Sequence, residues 1–108
     1  MGENPNFNPF YNAPTIVITA YDKTLPIKES DCAAALQNML LAAHSLNIGS
    51  CWIHILAITG EDPKVKNVLT ELGVPEDYAV FGTAVFGYNS KDETKAAHRK
   101  EGTFNIVK

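Results

Sequence analysis

The sequence predicts an α+β domain in which strands and helices alternate as β-α-β-α-β, with one more strand detached at the C-terminal end. Three observations carry this. Residues 15–19 (TIVIT) are all β-branched, which suits a pleated, buried strand. Two stretches space their apolar residues as helices do, one after residue 30 and one after residue 62. Between them, 29 consecutive residues, 32–60, contain no Asp, Glu, Lys or Arg, which marks a core or a covered interface.

Composition sets the frame. The 108 residues make one domain, and a chain of this length buries about 64% of the surface that it exposes when unfolded. A hydrophobic fraction of 45% is enough for one core, and a charged fraction of 19% is a little low for a soluble domain. That balance excludes intrinsic disorder and points to surface covered by a partner. Nine basic against twelve acidic residues give a net charge of −3, without the electrostatic footprint of a general nucleic-acid binder. The longest purely apolar runs, 32–36 and 39–43, are five residues each, far short of a membrane span. No apolar leader opens the chain, and two cysteines, Cys32 and Cys51, make no disulfide framework; a reducing cytoplasm is the expected location.

Residues 1–12 (MGENPNFNPFYN) hold four Asn and two Pro, which disfavour helix and central strand. With Phe7, Phe10 and Tyr11 they are expected to form an extended arm lying on something apolar. Residues 13–22 form the first strand, with Pro14 at the start, where a strand tolerates it. Residues 30–48 are the strongest helix signal, capped by Ser30 or Asp31. Its apolar residues Cys32, Leu36, Met39, Leu40, Ala43 and Leu46 are helically spaced, and Leu41 and Ala34 intrude even into the narrow polar sector of Gln37, Asn38, His44 and Ser45. Such a helix is expected to be buried on most sides, and in a domain this small a second subunit explains that best.

Asn47 or Gly49 ends this helix in a left-handed conformation, and residues 50–55 (SCWIHI) read as a short strand. Asp62 is a good N-cap with Pro63 at the first helical position; Val65, Val68, Leu69 and Leu72 make one apolar stripe, and Gly73 and Pro75 stop the helix. Residues 78–88 are a long apolar strand interrupted by Gly82 and Gly87, and strand glycines often mark close approach of another backbone or a ligand. Residues 103–107 (TFNIV) follow a polar linker, and a strand so placed can add to a neighbouring chain's sheet. The predicted organisation is an arm over 1–12, an α+β domain over 13–90, and a basic linker with a terminal strand over 91–108.

The runs APTIVITAYDK (13–23), QNMLLAAHSLNIGSCWI (37–53) and DPKVKNVLTELGVPEDYAVFGTAVFGY (62–88), with the basic cluster that follows, resemble the C-terminal half of the nitroreductase family of flavoproteins. The resemblance runs from about residue 10 to residue 108, and the second run is its most specific part. It implies a truncated nitroreductase-like fold with a long buried central helix. It also implies a homodimer holding FMN at the subunit interface, hydride uptake from NADH or NADPH, and delivery to nitroaromatic or quinone-like acceptors. The helix would pack at the dimer core and the terminal strand would join the partner's sheet.

The same resemblance places the backbone of Ile53, His54 and Ile55 at the flavin edge, where N–H groups serve the ring without side-chain chemistry. His54 is unusual at a position where many relatives carry a small or acidic residue. Arg99 matches a cation that meets the FMN phosphate, a role a guanidinium fork suits; Lys100 is a neighbouring candidate and Lys95 a weaker one. Pro14 and Thr15 lie on a segment that passes near the flavin in relatives, although a simple strand start explains them better. Gln37 and Asn38, polar in a buried helix, need partners from backbone or the second subunit. No side chain is assigned as catalytic, and the spacing of Cys32, His44, Cys51 and His54 supports no metal site.

The chain departs from the family in one respect. Relatives begin with another helical half whose Arg-Ser-x-Arg motif holds the FMN phosphate, and here Arg99 is the only arginine. A truncated form, a naturally short relative or a fragment is expected. The alternative function is a flavin-free dimeric binding or structural module, or an inactive fragment.

Overall fold

The longest strand lies in the middle of the sheet. In the computed structural model, which describes residues 6–89 and 96–108, β1 (Thr15–Asp22), α1 (Lys28–Ser45), β2 (Ile48–Ile53), α2 (Ile55–Thr59), α3 (Pro63–Glu71) and β3 (Tyr78–Tyr88) follow in order. The three strands form one antiparallel sheet in the order β1-β3-β2. The apolar run of β3 pairs on both sides, so its centre, Gly82–Val85 in sequence, is the most deeply buried part of the chain. A bulge at Thr19/Ala20 lets Phe81 stand unpaired between Val80 and Gly82.

Helix α1 lies along the sheet. Cys32 Sγ approaches the Ala20 carbonyl at 3.8 Å, and Leu36 is completely buried. A side chain at Gly82 would begin 3.0 Å from Leu36 Cδ1 and 2.8 Å from Trp52 Nε1. The glycine therefore leaves the room that the leucine and the indole fill, which is the close approach its place in a strand suggested.

Several boundaries differ from the sequence expectation. Helix α1 begins at Lys28, and its N-cap is Ile27 without any side-chain cap; Ser30 and Asp31 lie inside the first turn. The reason lies in the connection before it. Asp22 Oδ1 accepts from Thr24 N (2.9 Å) and Thr24 Oγ1 (2.7 Å), the Pro26 carbonyl accepts from Lys28 N at 2.8 Å, and Lys28 Nζ donates to the Lys23 carbonyl (2.8 Å) while sitting over the Tyr21 ring. These bonds start the helix early. It also ends early, at Ser45, where Asn47 takes φ +58, the left-handed conformation expected of it.

Strand β2 is shifted two residues toward the N-terminus of the expected segment, because pairing with β3 runs from Ile48↔Tyr88 to Ile53↔Thr83. His54 and Ile55 are therefore not strand residues. The His54 carbonyl accepts from Ala57 N (2.9 Å) and Ile58 N (3.2 Å), turning the chain into α2, which is too short to leave a periodic signal. Helix α3 has the expected cap, with Asp62 Oδ1 accepting from Lys64 N at 2.9 Å and Pro63 at its first position. Gly73 follows at φ +99.

Two expectations that involve a second subunit are not met within the single chain. Only Cys32, Leu36 and Ala43 of α1 are buried, while Leu41 is 58% exposed and Leu46 beyond its end 69%. The sheet covers one stripe of the helix, and no other described layer covers the opposite side. The segment 103–107 forms no strand, and Phe104, Ile106 and Val107 are exposed. An extended segment needs an edge to pair with, and this one meets none within its own chain. At the other end, the described part of the arm is folded into turns at 9–12, with Tyr11 and Asn12 both at positive φ, instead of running extended. Residues 1–5 lie outside the described residues.

Candidate functional site

The candidate site forms where β2 stops. Ile53 is paired with Thr83 and buried; His54 leaves the sheet with φ −95 and ψ −12; Ile55 opens α2 and is half-buried. At a helix start the first N–H groups have no intrahelical acceptor. Here Ala57 N and Ile58 N already donate to the His54 carbonyl, which leaves the N–H groups of Ile55 and Leu56 available beyond the end of the strand. Free N–H groups of this kind can donate to an electron-rich edge; Leu56 is not among the residues that the sequence singled out.

The turn is braced by aromatics. The His54 ring lies 5.7 Å from that of Trp52, tilted by 48°, and Trp52 meets Phe81 edge-on at 5.8 Å. Trp52 Nε1 is buried beside Gly82 without a hydrogen-bond partner. Thr83, the cross-strand partner of Ile53, is fully buried, and its Oγ1 is likewise unpartnered. The side chain of His54, by contrast, is exposed.

Electrostatically the turn is bare. Strands β2 and β3 and helix α2 contain no Asp, Glu, Lys or Arg. Among the described residues the ion pairs are elsewhere, with Glu61 between Lys23 (3.1 Å) and Lys66 (3.5 Å). The hydrogen bond and charge of Lys23 hold the Glu61 carboxyl below its ordinary range, with a further contribution from Lys66. Burial pushes the Cys32 thiol up, consistent with an inert core cysteine, while Cys51 is exposed.

The other residues singled out from the sequence are not gathered at this turn. Arg99 and Lys100 are exposed in the C-terminal segment, where the Lys100 carbonyl accepts from Thr103 Oγ1 at 3.3 Å. Among the described residues no hydrogen bond or ion pair ties either of them to residues 53–55. Lys95 lies outside the described residues. Gln37 and Asn38 are exposed on the uncovered side of α1. Pro14 sits against Gly87, where a side chain would begin 3.2 Å from its Cδ. Together with Tyr11, Asn12, Gly49, Ser50, Cys51 and the end of β3 it lines an open groove of about 350 Å³. This groove is at the opposite end of β2 from His54, roughly 13 Å away at strand rise. The sequence singles out Pro14 and Gly87 separately but gives no sign of the groove, which depends on the turn at Tyr11–Asn12 and on strand register.

Comparison with known proteins gives a consistent picture. The sequence model of the Nitroreductase family matches residues 3–88. A protein of Archaeoglobus fulgidus, provisionally named NADH dehydrogenase/NAD(P)H nitroreductase, is 40% identical over 75 residues, which are 69% of this chain and 40% of that protein. A nitroreductase from Bacteroides fragilis crystallised with bound FMN is 42% identical and superposes with a TM-score of 0.90, over 99% of this chain and 58% of its own. An FMN-dependent nitroreductase from Clostridium difficile is 30% identical with a TM-score of 0.65, over 89% of this chain and 60% of its own. The chain thus spans about two fifths of the curated relative and somewhat over half of these solved structures.

Proposed function

Because the chain belongs to the nitroreductase family, we propose that it works as an FMN-dependent oxidoreductase, taking electrons from NAD(P)H and passing them to nitroaromatic or quinone-like acceptors. The observation that carries this is the B. fragilis neighbour, which holds FMN and matches nearly the whole of this chain. When bound, the cofactor supplies the two-electron chemistry, and the chain supplies binding, orientation and electrostatics.

In this reading the backbone of Ile53, His54 and Ile55 lies along the flavin edge, with the N–H of Ile55 among those free to donate, and the turn is held by the pairing of Ile53 with Thr83 and by the Phe81–Trp52–His54 aromatic contacts. Arg99, with Lys100 beside it, serves the phosphate. Since neither is tied to the turn within one chain, the C-terminal segment has to be brought to it, and a second subunit does so if 103–107 adds to its sheet. Dimerisation also covers the exposed side of α1. The chain is accordingly proposed as a homodimer.

The test is the visible spectrum of the purified protein before and after FMN and then NADH. Flavin absorbance retained on the protein and bleached by NADH is the expected outcome. Trp52 is the only tryptophan and adjoins the turn, so its fluorescence reports FMN uptake directly. A folded protein that neither retains FMN nor changes its Trp52 emission overturns the proposal in favour of a flavin-free module.

A further inference from the structure

We draw no further inference here: the strongest candidate, the open groove of about 350 Å³ between the Tyr11–Asn12 turn, the start of β2 and the end of β3, is lined by no charged side chain, and nothing in the structure shows what covers it.

Discussion

Two neighbouring positions on β3 show opposite uses of a buried site. At Gly82 the missing side chain is what matters. An alanine there would place its Cβ 2.8 Å from the Trp52 indole nitrogen and 3.0 Å from Leu36 Cδ1. The indole is rigid and Leu36 is fully buried, so neither can give way without moving the helix or the ring. Overpacking of this kind costs about 1–3 kcal/mol. Gly82→Ala should lower the unfolding free energy by that much, read as a lower urea midpoint with an unchanged m-value, and should perturb Trp52 emission in the native state. Thr83, one residue on, is the reverse case. Its Oγ1 is buried with no partner, so the hydroxyl carries a desolvation cost that no bond offsets. Thr83→Val keeps the shape and removes the hydroxyl, and is expected to be neutral or to stabilise by about 1 kcal/mol. A loss of more than that in chemical denaturation would mean that the hydroxyl has a partner in solution, such as an ordered water.

At the scale of elements, α3 and α1 show what local sequence can and cannot specify. The start of α3 is written in Asp62 and Pro63, and the structure keeps both roles. Asp62→Ala removes the acceptor of the Lys64 N–H and should cost about 1 kcal/mol, seen as faster amide exchange at Lys64 and Val65 with little change in the sheet. The start of α1 differs from the sequence expectation for a physical reason. Ser30 and Asp31 have good cap chemistry, but Asp22, Thr24, Pro26 and Lys28 satisfy the connection first and begin the helix at Lys28 without a cap. The long strand β3 was legible end to end because its apolar run has no competing pattern. The end of β2 was not, because the strand residues of SCWIHI are chosen by register against β3, and α2 is too short for a helical period to appear. His54 and Ile55 therefore leave the sheet where the sequence suggests continued strand. Arg99 and Lys100 were legible as a basic cluster, but their distance from the turn depends on where the C-terminal segment goes, which no local pattern contains.

The whole molecule does not close on itself. Its radius of gyration is 16.6 Å and its extents 48 × 38 × 25 Å, against about 13 Å expected of a single domain this long. Among the described residues the buried apolar set is Cys32, Leu36, Ala43, Ile53, Leu69, Ala84 and Val85. That is a thin core for a chain that is 45% hydrophobic. The exposed apolar side chains on one helix and on the C-terminal segment are those that the proposed dimer would cover. If a second copy covers the outer side of α1, Leu41 lies where a charge cannot be tolerated; if α1 faces water, the position is an ordinary surface site at which substitution costs within about 0.5 kcal/mol. Leu41→Asp distinguishes these. In the proposed dimer it should convert a two-chain species to a single chain in sedimentation equilibrium, and it should remove the dependence of the melting temperature on protein concentration that a coupled dimer shows. It should weaken FMN retention at the same time, because the C-terminal segment that carries Arg99 would lose the subunit against which it is ordered. An unaltered protein that sediments as one chain at every concentration and still binds FMN would show that the exposed side of α1 is not the dimer contact, and that one chain holds the cofactor by itself.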